Sequence, residues 1–119
     1  MNTEKNINAP VPPPAGGGGF IYNVTIKVDV SIKDEWLKWL KEEHIPEVIS
    51  TGCFIDATIL QLLETDISED STFAIQYQAE SKSQYNRYIE DHSAAMRQKS
   101  FEMWGDKFIA FRSLLQVVN

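Results

Sequence analysis

Cysteine is nearly absent from this chain: of 119 residues, only Cys53 is one. A single thiol can neither close an intrachain disulfide nor build a Cys-rich metal cage, so apolar burial must hold the fold. That usage fits a reducing compartment, and the cytoplasm is the expected location. Positive charge is also scarce. Lys and Arg number 11 against 17 Asp and Glu, for a net charge of −6. Binding to nucleic acid needs clustered cations that displace counterions from phosphates, so no nucleic-acid partner is expected. A polybasic membrane surface is excluded on the same ground. No apolar run is long enough to cross a bilayer, and the first residues lack the apolar centre of a secretory signal. A Gly-rich phosphate loop, a GxSxG elbow and zinc-finger spacing are all missing.

What is present is a globular composition, 43% hydrophobic and 24% charged, that suffices for one domain. Residues 1–19 run from polar to Pro-rich to all glycine, ending in Gly16-Gly17-Gly18-Gly19. Such a segment buries too little apolar surface to offset its ordering entropy, so a disordered leader is expected, with the folded domain over 20–119.

From Phe20, the residues Tyr22, Val24, Ile26, Val28 and Val30 alternate with Asn23, Thr25, Lys27 and Asp29, the signature of a strand with one apolar face. Ser31, with Asp34 three residues on, is the expected cap of a first helix. At 100° per residue Trp36, Leu37, Leu40, His44 and Val48 share a face. Pro46 lacks an amide donor and its ring opposes the Glu42 carbonyl, so a kink or end is expected near Ile45, with a further turn reaching Thr51 and Gly52 beyond it. Cys53 to about Glu64 reads as a second strand with poor alternation. An acidic loop follows over 65–71, then a third strand over Thr72–Ala79 that pairs with the second as a hairpin. Ser81 and Gln84 form a capping box for a second helix whose stripe is Tyr85, Tyr88, Ile89, His92, Met96 and Met103, ending at Gly105. Lys107–Val118 is the last strand, with Ile109, Phe111, Leu115 and Val117 expected beneath the helices and Phe108, Ala110, Arg112 and Leu114 on the open face.

The order β-α-β-β-α-β is the ferredoxin-like arrangement. It is an α+β fold, a four-stranded antiparallel sheet with both helices on one face. A sheet with one open face is often closed by a second copy, so the chain itself is the expected partner.

Several stretches carry a family resemblance: YNVT at the first strand; WxxW followed by EEHIPEV and TGCF; Ile75-Gln76-Tyr77-Gln78-Ala79-Glu80-Ser81; the Tyr-rich second helix with Asp91-His92; and Gly105-Asp106-Lys107-Phe108 through Leu115. Together they resemble an uncharacterised family of short bacterial proteins, found largely in Bacteroidetes, within the dimeric α/β-barrel superfamily. The resemblance spans residues 20 to about 118; members start at or just before the first strand, so residues 1–19 depart from it. The superfamily implies a homodimer whose sheets close a barrel, and in many members a small-molecule cavity between sheet and helices. Its members include cofactor-independent monooxygenases, haem-degrading enzymes, muconolactone-type isomerases and stress-response proteins. The family carries no established activity.

Two histidines are the candidate catalytic groups. His44 would point from the first helix toward the sheet, where a neutral imidazole polarises a substrate hydroxyl or takes its proton. The plainer reading is a structural histidine bonded to a backbone carbonyl that Pro46 frees. His92 lies at a comparable depth on the second helix, and the pseudo-symmetry allows the two to converge on one cavity. No i,i+4 histidine pair occurs, so neither metal nor cofactor is expected. Trp39, Phe54, Tyr85 and Tyr88 are the candidate walls of a pocket for a small apolar or aromatic ligand. Trp36 could join them, but core packing is the favoured reading for Trp36 and Tyr85, whereas Trp39, about 60° from Trp36 around the helix, suits a rim. Arg112, set among apolar neighbours, is expected to be salt-bridged, within the chain or across a dimer, to a residue such as Asp56. Its alternative is to anchor an anionic substrate. Cys53 reads as a small core residue. Two functions stand: a homodimeric small-ligand protein, monooxygenase- or isomerase-like, and a non-catalytic dimeric scaffold or ligand sensor with structural histidines.

Overall fold

A computed structural model describes residues 19–63 and 70–119. The expected leader over 1–19 therefore lies, but for Gly19, outside the described residues. So does the acidic loop, apart from Asp70 and Ser71. Four strands are formed: β1 (Phe20–Val28), β2 (Asp56–Gln61), β3 (Ser71–Ala79) and β4 (Phe108–Gln116). They make one antiparallel sheet in the order β2-β3-β1-β4. The helical segments are α1 (Lys33–Trp39), α2 (Ile45–Ser50), α3 (Lys82–Asp91) and α4 (Ser93–Trp104). This is the ferredoxin-like α+β fold, with the hairpin of β2 and β3 as its middle.

The period-2 pattern of β1 and β3 decides which face is covered. Val24, Ile26 and Val28 of β1 and Phe73, Ile75 and Ala79 of β3 are buried, and the strand register sets Val24 beside Ile75 and Ile26 beside Phe73. Trp36, Leu40, Val48, Tyr88 and Met96 close over them from the helices. Each such fully buried side chain contributes roughly 1.5–3 kcal/mol of transfer free energy. Cys53 belongs to this core.

β4 is opposite to expectation. Its register pairs Val28 with Phe108, Ile26 with Ala110, Val24 with Arg112 and Tyr22 with Leu114. Antiparallel partners share a face, so Phe108, Ala110, Arg112 and Leu114 lie on the helix side. Ile109 and Phe111 lie on the open face, 58% and 69% exposed. Both sets of β4 residues are largely apolar, so alternation could not choose between them, and one residue of register reverses every side chain. The chain also makes no Arg112–Asp56 pair. Asp56 lies on the far edge strand, where its carboxylate accepts the Ala57 amide at 2.8 Å.

The helices differ in three details. The cap at the start of the first arm is Asp29, whose carboxylate accepts the Ser31 amide at 2.8 Å; Ser31 itself lies in a 3₁₀ turn over Val30–Ile32. The Ser31 hydroxyl first, and this amide second, hold the Asp29 carboxyl below its ordinary range. Next, the helix does not end at Pro46. Residues Leu40–His44 widen into a π turn, in which the Ile45 amide reaches back five residues to the Leu40 carbonyl. The wider turn moves the Glu42 carbonyl away from the proline ring, and α2 continues to Ser50. Gly52 then takes φ +79°, a left-handed conformation open to glycine at little cost.

The second arm breaks at His92, whose backbone leaves the helical region (φ −130°, ψ −31°), and α4 restarts at Ser93. Ser81 caps α3 by accepting the Gln84 amide, but the Gln84 side chain accepts from Arg87 instead of closing the box. The break resets the phase, so α4 turns Ser93, Met96, Arg97 and Ser100 toward the sheet and leaves Met103 exposed, off the expected stripe. Among the described residues no helix is long and apolar enough to cross a membrane.

Candidate functional site

A cavity of about 40 Å³ lies between the sheet and the helices. Its floor is β1, β3 and β4, through Tyr22, Val24, Tyr77 and Arg112. Trp36 and Trp39 of α1 and His44 at the end of the π turn form one wall. Tyr88 of α3 and Met96, Arg97 and Ser100 of α4 form the other.

His44 is half-buried and lies flat against Trp39, ring centroids 4.7 Å apart at 20°. Its Nδ1 is buried and has no hydrogen-bond partner, so no carbonyl freed by Pro46 satisfies it. Burial lowers the pKa of His44 to about 4. The Glu47 carboxylate opposes that shift, and the cations Arg112 and Lys99 add to it. At neutral pH the imidazole is therefore uncharged, a hydrogen-bond acceptor rather than a cation. Glu47 is held in an ion pair by Lys99, which ties α2 to α4.

Tyr22, Tyr77 and Tyr88 crowd beside it; Tyr22 and Tyr77 stack at 6.0 Å, and Tyr22 and Tyr88 meet at 5.6 Å. Burial pushes all three hydroxyls above the ordinary tyrosine range, so they stay protonated and able to donate. Arg112 and Arg97 pull the other way at both Tyr22 and Tyr88, so both guanidinium charges lie within electrostatic range of that pair of hydroxyls.

Of the residues singled out from the sequence, His44, Trp39, Tyr88 and Arg112 line the cavity. His92, Phe54 and Tyr85 do not. His92 stacks on the outer side of the aromatic cluster against Tyr88, centroids 6.1 Å apart. Phe54 and Tyr85 pack on Tyr22 at 5.9 and 5.6 Å. The two imidazoles therefore do not converge, because the helix break falls at His92 itself and turns Ser93 inward in its place. Arg97, Ser93, Ser100 and Tyr22 were not singled out. The α4 residues depend on that break, which has no Pro or Gly to mark it. Tyr22 carried a signal that was passed over, a phenol on the covered face of the central strand. Among the described residues no three His, Cys, Asp or Glu side chains are grouped to hold a metal ion.

Several solved structures share this architecture. A monooxygenase from the gene ActVA-Orf6 of Streptomyces coelicolor, in complex with nanaomycin D, superposes with a TM-score of 0.61 at 17% identity, over 86% of this chain and 89% of that one. A dimeric ferredoxin-like protein from an uncultured marine organism gives 0.57 at 14% identity, over 84% and 95%. An ethyl tert-butyl ether d (ethd) family protein from Bacillus halodurans gives 0.59 at 10% identity, over 83% and 99%. The fold they share with this chain is the ferredoxin-like α+β fold. Residues 19–118 match the family model described as "Domain of unknown function (DUF4286)", and the chain belongs to that family. No curated protein sequence matches.

Proposed function

We propose that the chain is a homodimeric, cytoplasmic protein that binds a small apolar or aromatic molecule in the cavity beneath its helices. The folded unit is residues 20–119, and the open sheet faces of two copies close against each other. The observation that carries the ligand reading is the buried, unpartnered Nδ1 of His44 in a cavity walled by Trp36, Trp39 and Tyr88. An unsatisfied buried nitrogen costs roughly 1–3 kcal/mol, which a ligand hydroxyl donating to it would recover. His44 accepts that hydroxyl. Where the protein is an enzyme of monooxygenase or isomerase type, the same nitrogen takes the proton, and the neighbouring arginines hold the anion left behind. His92, outside the cavity, has no direct part in this. A native mass spectrum of protein purified from its own host tests the reading: a retained small molecule and a mass of two chains support it. A bare single chain, together with a His44→Ala variant that binds every screened ligand as before, overturns it.

One observation favours the second reading, a non-catalytic dimeric scaffold or sensor. The cavity, about 40 Å³, holds on the order of one to three waters, whereas drug-sized ligands occupy roughly 300–1,000 Å³. On that reading His44→Ala lowers thermal stability and changes nothing else.

A further inference from the structure

We propose that this cavity is a binding site for small carboxylate anions, held by Arg97 and Arg112 together with the hydroxyls of Tyr22 and Tyr88. The inference rests on the cavity being a ligand site and deepens that reading by naming the ligand's chemistry.

Four observations carry it. First, the chain is acidic, −6 overall, yet no Asp or Glu is among the residues that line the cavity, and two arginines are. Second, among the described residues neither guanidinium has a carboxylate partner; the ion pair beside the cavity joins Lys99 to Glu47 and leaves both arginines out. Both arginines border the cavity while remaining exposed overall, so each guanidinium is open to an incoming anion. Third, the two arginines come from different elements, α4 and β4, and both act on the hydroxyls of Tyr22 and Tyr88. Both also line the same cavity as those two tyrosines. An anion there meets two cationic forks and two neutral O–H donors, while His44 supplies no competing negative charge. Fourth, the volume sets the size. Room for on the order of one to three waters fits the three heavy atoms of a carboxylate, a planar group that matches the guanidinium fork with two parallel hydrogen bonds. A larger, tetrahedral oxyanion fits neither the space nor the fork as well.

Acetate, with acetamide as its uncharged isostere and inorganic phosphate as the competing anion, is the probe for calorimetric titration of the full chain. Acetate binds and acetamide does not. The proton resonances of the His44 imidazole move on acetate addition, which places the ion in the cavity. Arg112→Gln and Arg97→Gln each weaken acetate at least tenfold. Arg112→Lys, which keeps the charge and loses the fork, weakens it less. Lys82→Gln, remote on the first turn of α3, leaves it unchanged. The unfolding temperature of each variant is measured alongside, so that a lost fold is not mistaken for a lost site. Equal binding of acetamide, tighter binding of phosphate, binding that survives both arginine changes in folded protein, or no binding of acetate at all overturns the inference. The two proposals fail separately. A neutral aromatic ligand bound with no acetate site upholds the cavity and removes the anion. Acetate binding that His44→Ala leaves intact upholds the anion and removes His44 from the chemistry.

Discussion

The imidazole of His44 and the indole of Trp39 lie nearly parallel with centroids 4.7 Å apart, so the histidine's protonation is coupled to the packing of the first helical arm. Burial holds its pKa at about 4, against 6.5 for an exposed histidine. The sign follows from linkage. The unfolded chain takes up the proton near pH 6.5 and the folded chain only near 4, so the stability contributed by neutral His44 is fully present above 6.5 and is lost as pH falls through 4. The whole difference is about 3 kcal/mol. Unfolding midpoints measured from pH 8 to pH 3.5 follow this curve, and His44→Gln flattens that part of it. An NMR titration giving His44 a pKa near 6.5 contradicts it.

Pro46 sustains the π turn, because an ordinary residue there would donate its amide to the Glu42 carbonyl and close the turn to α geometry. Pro46→Ala is expected to narrow Leu40–His44 by one residue of phase, rotating His44 by roughly 100° away from the cavity. The measurable result is a His44 pKa that climbs toward 6.5 while the unfolding temperature stays within a few degrees. A crystal structure of the variant with the π turn intact would refute this account of the turn.

Phe111 is 69% exposed on the open sheet face, midway along the edge strand β4 and beside Thr25 of β1 in the ladder. A charge at that position must be desolvated in a dimer that closes the two sheets over it. Phe111→Glu is therefore expected to halve the mass seen by light scattering at micromolar concentration, with the far-ultraviolet spectrum retained. An unchanged mass shows that the copies meet elsewhere.

Ile75, on β3 at the centre of the covered face, is 1% exposed. Ile75→Ala removes buried methyl groups and leaves a void, at a cost of roughly 2–5 kcal/mol. Denaturant titration reads this as a lower midpoint with the slope preserved. A loss under 1 kcal/mol means that the core collapses into the gap.

Most of the fold was legible because β1, β3 and the first helical arm each bury one face only. Tyr22 to Val28, Phe73 to Ala79, and Trp36 with Leu40 and Val48 could point only one way. β4 was not legible in the same sense. Phe111 and Phe108 are equally apolar, and only hydrogen bonding to β1 decides which is covered. That strand carries Arg112, so the error reached the site: an arginine expected on the open face is in the cavity. His44 and Trp39 could be found because the first arm stays helical through its π turn, with no break between them. Arg97 could not, since its direction depends on the irregular backbone at His92, which ends a ten-residue helix that Ser81 starts regularly.

The central position of β1 has a consequence for the order in which the chain can assemble. Both of its neighbours lie later in the sequence, β3 beginning at Ser71 and β4 at Phe108. During synthesis, the strand that emerges first keeps both edges unpaired until the hairpin arrives, and one edge until β4 follows. Such distant pairings fold slowly, and an unpaired apolar strand is the segment through which nascent chains stick to one another. The same separation delays the cavity, whose floor is incomplete until Arg112 has joined Tyr22.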